Sequence, residues 1–472
     1  MGAVFDVNKF SFLILGAGPL LMLFFLSTVN LKSSLKYDAS KDSLRYTGEK
    51  HLRNIRQLTF GGNNAEAYWS FDDKQLIFQS DWNKINPQGC DQIFKMNVDG
   101  APEANGKQYQ LVSTGKGRTT CSYFLKDGKI VYASTHAADE KCPETTMFSG
   151  GRYVWQIYDS FDIYVTGGKS ITSKSSGMNN SNSSSGTNSI EGTNPADGAN
   201  NNSGQGPSSL EINSNERNAV NDKGNENILL GKKSSNNPEI SIMENSDNKV
   251  TPYVEKNLNH EAELLIGGPG YDAEATVSPD GKWIIFTSTR SGDLELWRYE
   301  IATGNLLQLT NTLGYDGGAF FSRDSKKIVW RASRPQGDEA IAYKKLLKEN
   351  LVEPKELNIF VADIDGKNVK QVTNLPGANW APFFHPGGEK VLFCSNHHSQ
   401  DQGGRIFDIF MINLDGTGLE QITNSGTFDA FPMFSYDGTK LVFCSNRRAD
   451  RKQSRDTNIF IADWVENPGE KK

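Results

Sequence analysis

The chain has 472 residues, enough for two or three ordinary domains, with a formal net charge of −6 and a hydrophobic fraction of 36%. No run of Lys and Arg interleaves with aromatic residues, which argues against a nucleic-acid partner. Five Cys, with no C-x-x-C and no Cys/His spacing suited to zinc, argue against a disulfide scaffold and a structural zinc site.

In chain order, the first predicted element is an uncharged stretch, Ser11 to Val29, long enough for a helix to cross a bilayer. Leu26-Ser27-Thr28-Val29-Asn30 matches a small-x-small cleavage site poorly, so residues 1–31 read as an uncleaved anchor rather than a signal peptide. Lys9 lies before the span, and Lys32 and Lys36 after it. This placement leans towards a cytoplasmic body. Residues 32–50 read as a linker.

From there one hairpin is written repeatedly. Its turns are Ser70-Phe71-Asp72-Asp73, Lys126-Asp127-Gly128-Lys129, Ser278-Pro279-Asp280-Gly281, Ser322-Arg323-Asp324-Ser325, His385-Pro386-Gly387-Gly388 and Ser435-Tyr436-Asp437-Gly438. Asp-Gly between two β-rich runs is a strong hairpin signal, because Gly accepts the positive φ of the turn. A short apolar strand follows each turn: LIFQS, IVYAS, IIFTS, IVWRA, VLFCS and LVFCS. A third strand and a short fourth, such as Gln308-Leu309-Thr310, complete each unit.

Repeated units of four antiparallel strands predict an all-β, six-bladed β-propeller over residues 51–466, since one blade cannot bury both of its faces alone. The last unit lacks a fourth strand after Ala462. Arg56-Gln57-Leu58-Thr59, within 51–59, supplies the missing strand from the other end of the chain and closes the ring. The expected fold class is thus a propeller with an N-terminal transmembrane helix and one long disordered insertion. That insertion, 169–260, is dominated by Ser, Asn and Gly and lies between strands three and four of the second blade. Residues 467–472 form a short tail.

The connections between strands two and three emerge on one face and are long in five blades, at Asp81–Asp91, Thr135–Ser160, Ser333–Leu357, Asn396–Ile406 and Asn446–Thr457. Ser333–Leu357 is expected to hold a helix capped by Asp338, with Tyr343, Leu346, Leu347 and Leu351 as its apolar stripe and Pro354 ending it. Long loops on one face of a rigid scaffold mark this as the functional surface.

Six residues before each turn Ser stand Asn64, Asp272, Asp316, Asn379 and Asp429, with Thr119 in the second blade. They are expected to ring the channel mouth, where Asp272, Asp316 and Asp429 could hold Ca²⁺, the one cofactor the pattern allows. The competing expectation pairs these carboxylates across neighbouring blades with Arg290, Arg334 and Arg447, with His136 and His397 at the equivalent places. Cys394 and Cys444 read as buried core thiols. Among Cys90, Cys121 and Cys142, a Cys121–Cys142 disulfide is the first choice and three free thiols the alternative.

The pattern of Leu-Thr, then Asp six residues before Ser-Pro-Asp-Gly, then a Phe-x-Ser-x-Arg strand end, resembles the TolB-type propeller repeat of bacterial periplasmic proteins. The resemblance covers roughly residues 51–466 apart from the insertion. It implies a body on the periplasmic side of the inner membrane, against the lysine placement, and agrees with the clustered Cys. The family's N-terminal α/β domain has no counterpart here, which separates this chain from a TolB role in the Tol–Pal machinery.

Two functions follow. One is a monomeric, non-catalytic scaffold, tethered to the membrane, that binds a protein or polysaccharide of the cell envelope. The other is a hydrolase or lyase acting on glycans or peptides at the channel mouth. No Gly-x-Ser-x-Gly elbow is present, and His136, His397 and His398 belong to blades on opposite sides of the channel, so the first is preferred.

Overall fold

Each Ser-x-Asp turn is held by its own side chains. Ser278 Oγ donates to Asp280 Oδ1 at 2.6 Å and accepts the Trp283 N–H at 3.0 Å, and Ser70, Ser322 and Ser435 repeat the arrangement. The turn residue aligned with Gly281 is left-handed in every copy: Gly128, Gly281, Gly388 and Gly438, but also Asp73 and Ser325. A left-handed non-glycine residue is costly, and both exceptions recover that cost across a blade boundary. Asp73 accepts the backbone N–H groups of Tyr436 and Asp437 at 2.6 and 2.8 Å, and Ser325 Oγ accepts that of Asp280 at 3.0 Å.

The computed structural model describes residues 42–102, 106–166, 262–448, 452 and 455–468. The expected membrane span and the insertion lie outside the described residues, and no helix among the described residues is long and apolar enough to cross a membrane. Six four-stranded antiparallel sheets make up six blades. In the sixth, the outer strand is Leu52–Gln57, which pairs with Asn458–Trp464 from Leu52 opposite Trp464 to Gln57 opposite Phe460. The ring is closed by the N-terminal strand, as the leftover Leu-Thr segment required.

The Leu-Thr motif also has a mechanical reason. The hydroxyls of Thr59, Thr310, Thr373 and Thr423 accept the N–H of a third-strand residue at 2.8–2.9 Å, where the fourth strand turns away from its ladder. Ser113 does the same for Ile93.

The first strands form the inner wall. Their opening N–H groups, from Asn64, Thr119, Asp272, Asp316, Asn379 and Asp429, donate to carbonyls just before the third strand of the preceding blade, at 2.8–3.1 Å. This six-fold ladder satisfies inner-edge donors that burial would otherwise orphan. The second strands supply one fully buried aromatic per blade: Phe78, Tyr132, Phe286, Trp330, Phe393 and Phe443. Each contributes about 2–3 kcal/mol by area alone.

The expected helix forms at Gly337–Lys348, but its start differs from the sequence expectation. Gln336 is the N-cap, without a side-chain cap bond, and Asp338 lies in the first turn beside Glu339, where its charge suits the helix dipole. Tyr343 and Leu346 are buried, and Leu351 has left the helix for a two-residue strand.

Candidate functional site

The six positions expected at the channel mouth are buried, with Asn64, Thr119, Asp272, Asp316, Asn379 and Asp429 all at 0% exposure. Asn64, Asp272, Asp316, Asn379 and Asp429 engage the end of their own blade's second strand, whereas the Thr119 hydroxyl donates to the Asp91 carbonyl of the first blade. Arg290 Nη2 reaches both oxygens of Asp272 at 2.8 Å, and Arg334 grips Asp316 at 2.7 and 2.8 Å. Arg447 lies 3.1 Å from Asp429. These are pairs within a blade, not between blades, because antiparallel pairing sets the first residue of strand one against the last of strand two.

The partner types are matched. Where the strand opens with neutral Thr119 or Asn379, the Arg is replaced by His136 or His397, whose Nδ1 lies 2.8 Å from Ser134 Oγ or Ser395 Oγ. Burial lowers the pKa of both imidazoles, so each stays neutral beside a neutral partner. Burial pushes Asp316 up to about 6 despite Arg334.

With each carboxylate turned to its own guanidinium, Asp272, Asp316 and Asp429 do not converge. Among the described residues there is no group of three or more His, Cys, Asp or Glu placed to hold a metal ion. His398 is separately engaged with Asp408 at 3.0 Å. Asp272, Asp316 and Asp429 are thus each engaged in an ion pair within their own blade.

The channel is lined instead by the third residue of each inner strand. In all six blades this residue has positive φ at a β-bulge: Glu66, Cys121, Glu274, Gly318, Ala381 and Phe431. The bulge breaks the alternation of faces and presents these residues to one small central cavity of about 30 Å³. Cavity and bulges together are the part of the site that sequence reasoning missed. The available signal was a glutamate between two alanines at the same place in two strands, NAEAYW and DAEATV.

Two carboxyl groups in this cavity have opposite environments. Glu274 is fully bonded: it accepts from the Tyr315 hydroxyl at 2.8 Å, Thr287 Oγ1 at 2.6 Å, the Gly318 N–H at 2.8 Å and the Arg331 guanidinium. Burial alone would raise its pKa, but Arg331 and these hydrogen bonds hold it below the usual value. Arg331 comes from a second strand and reaches the channel across the Gly317-Gly318 pair. A Cβ at Gly318 would sit 1.8 Å from Arg331 Nη1.

Glu66 has no such partners. Its Oε2 is closed off from solvent without a hydrogen bond. Burial pushes it up to about 7, opposed by its bond to the Cys121 thiol. Burial, then the Glu66 and Glu274 charges, push that thiol well up as well.

The native state therefore holds the Glu66 proton over a pH range in which the unfolded chain, at 4.5, has released it. Stability should fall as pH rises from 4.5 to about 7 and then level off. Glu66→Gln removes this dependence. Relative to wild type it should gain about 2–3 kcal/mol between roughly pH 4.5 and pH 8, the upper figure being the full linkage for a closed site. Urea midpoints across that range check the sign, and a wild-type advantage that grows with pH would contradict it.

Over the loop face a strap crosses the axis. Trp155–Gln156, from the long second-blade loop, pairs with Leu351–Val352, from the fourth-blade loop. Val154 packs with Leu346 and Leu351. Trp155 lies 5.4 Å from the Arg331 guanidinium and meets Tyr315 and Trp380 edge-on at 6.2 and 6.1 Å. A second-blade residue touches blades four and five only by passing over the channel. The short third-blade connection leaves that path open.

The strap's root is tied to blade one by a disulfide between Cys90 and Cys142, which corrects the expected Cys121–Cys142 bridge. Cys90 and Cys142 both lie on loops of this face, whereas Cys121 points into the channel. Cys394 and Cys444 are buried free thiols, as expected.

Beside the strap, between the helix and blade four, opens a groove of about 370 Å³ bordered by Arg152, Arg334, Lys355, Glu339, Glu353 and Glu356. Close to it stands the hairpin Phe148–Ser149/Arg152–Tyr153, with Met147 54%, Phe148 66% and Tyr153 47% exposed.

Residues 350–454 match the family model described as the TolB beta propeller domain. An uncharacterized protein of Agrobacterium fabrum is 30% identical over 138 residues, covering 27% of this chain and 40% of its own. The Tol-Pal system protein TolB of Francisella tularensis is 27% identical over 160 residues, covering 28% and 36%. The chain thus spans less than half the length of either curated relative. Among solved structures, TolB from Acinetobacter baumannii is similar at TM-score 0.42 and 14% identity, over 78% of this chain and 56% of that one.

Proposed function

We propose that this six-bladed propeller of TolB-type repeats is a binding module of the cell envelope, tethered to the membrane by residues 1–31, with its body outside the cytoplasm. Its partner is a protein or polysaccharide, held on the loop face. The observation that carries this reading is the exposed Met147, Phe148 and Tyr153 hairpin beside the groove. Apolar side chains gathered on one loop, rimmed by charges of both signs, are the anatomy of an interaction surface. The similarity to a Tol-Pal system protein supports a protein partner.

Capture from envelope extract by residues 32–472, compared with the same protein carrying Met147→Ser, Phe148→Ser and Tyr153→Ser, tests the face. The variant is expected to lose the captured partner while melting as wild type does. An unchanged set of partners would remove the loop face from the proposal. The side of the membrane is tested separately by an alkaline phosphatase fused after Lys472. Activity is expected, and an inactive phosphatase beside an active cytoplasmic reporter at the same position would place the body inside.

A further inference from the structure

The central cavity carries a second, independent assignment. Its floor is closed by aromatic rings: Tyr68 packs on Tyr123 and Phe320, each at 5.6 Å, and Phe320 packs on Phe383 at 5.3 Å. Since Tyr68 and Phe320 come from opposite blades, their contact closes the channel below the bulge residues. On the loop-face side lie Arg331 and Tyr315, with Trp155 against them. Between floor and roof the charges are unequal. Glu274 is neutralised by Arg331 and bonded at both oxygens, while Glu66 keeps one oxygen buried and unpartnered.

We propose that this chamber binds a single alkylammonium group, seated between the free oxygen of Glu66 and the aromatic faces of Tyr68, Phe320 and Phe431. A carboxylate combined with aromatic faces is the recognition chemistry of ammonium ions, and such a group supplies the N–H donor that Glu66 Oε2 lacks. The neighbouring Arg331 disfavours a second positive charge, so one monocation is the limit. The occupant is either a free small amine or the side chain of a partner's lysine. Access is from the loop face and requires the Trp155 strap, held by its pairing with Leu351–Val352 and by bonds from Gln156 and Ile157 to the Asn350 carbonyl, to move aside.

Binding is coupled to the proton on Glu66. The titratable and charged groups around that carboxyl are Cys121, Tyr68, Cys444, Glu274, Arg331 and Asp91. The two thiols and the tyrosine are pushed up by burial and stay protonated at neutral pH. Glu274 and Arg331 remain an ion pair, and Asp91, pushed up to about 6, sits against Arg118 at 2.9 Å. Glu66 is then the group that ionises as the ammonium arrives.

Calorimetry with ethylammonium chloride, with ethanol as its neutral isostere, tests this. In buffers of differing ionisation enthalpy near pH 6, ethylammonium is expected to bind with release of up to about one proton. Its affinity should rise about tenfold from roughly pH 6 to pH 8. Glu66→Gln, which keeps the shape, should weaken binding at least about tenfold near pH 8 and abolish the proton release. Urea midpoints confirm that this variant is folded, and Glu66→Asp serves as a second variant that should retain the proton release.

A lysine tripeptide blocked at both ends, against its norleucine counterpart, separates the sources. Tighter binding of the peptide assigns the site to a partner's side chain, and tighter binding of ethylammonium assigns it to a free amine. Equal binding of ethanol, no loss in Glu66→Gln, or no binding by either amine would overturn the proposal.

Discussion

Arg447→Met is expected to destabilise the protein by about 3–5 kcal/mol, the range for breaking a buried ion pair from one side. The Arg447 side chain has no solvent exposure. Its guanidinium binds Glu49 at 2.9 and 3.1 Å, Asp429 at 3.1 Å and Ser445 Oγ at 3.1 Å. Burial alone would lower its pKa, but the charges of Asp429 and Glu49 more than reverse this. Removing it leaves two carboxylates in the interior with no countercharge.

The loss should not be uniform. Glu49 lies three residues before the closing strand and bonds the N–H groups of Tyr46 and Asn424, so the variant should loosen 42–57 first. Hydrogen exchange at Leu52–Gln57 would report that. Adding Glu49→Gln and Asp429→Asn should recover part of the stability, since the cost lies in uncompensated charge. A loss under about 1 kcal/mol would mean that water already reaches the group.

Reducing the Cys90–Cys142 disulfide, or Cys90→Ser with Cys142→Ser, should cost about 2–4 kcal/mol. The bridge closes a separation of 52 residues, worth about 4 kcal/mol in the chain-entropy account and less where the unfolded chain is already compact. Under native conditions alkylation should leave Cys121, Cys394 and Cys444 unlabelled, because all three are buried. In denaturant those three should label and the bridged pair should not. A fragment linking Cys121 to Cys142 by mass would refute the assignment. Without the bridge the strap loses its root on blade one, so its pairing at Trp155 should exchange faster than the blades do.

The ring was legible in the sequence because its information is local and repeated. Ser278-Pro279-Asp280-Gly281 specifies a turn through side chains only two to five residues apart. Six copies then leave no other way to bury both faces. The closing strand was legible for the same reason, since Gln57-Leu58-Thr59 repeats a motif whose hydroxyl serves the third strand.

The channel was not legible. A period-two reading places Glu66 and Glu274 on a fixed face of a regular strand, and a bulge with positive φ redirects them. That same redirection sends Cys121 inward, so a bridge to Cys142 was expected where Cys90 holds the place. The strap was hidden for another reason. Trp155–Gln156 and Leu351–Val352 are too short to show periodicity, and nothing near either one in sequence points to the other. The expected Asp–Arg partnership was right in its members but wrong in its geometry, because residue types alone do not reveal whether a pair spans a blade or a boundary.

The closure of the ring has a consequence for how the protein is made. The Thr59 hydroxyl and the Ile459 amide, which meet in the sixth blade, are 400 residues apart in the chain. At cellular synthesis rates the first partner waits on the order of 20–80 s for the second. Through that interval the first five blades form an open arc, with an unpaired strand edge at one end and the apolar flank of a blade bare at the other. Such edges template association with other chains. The vulnerable species is thus the nearly complete arc, and its hazard ends only when Asn458–Trp464 docks. A ribosome pause late in the message should therefore harm this protein more than an equal pause in the middle.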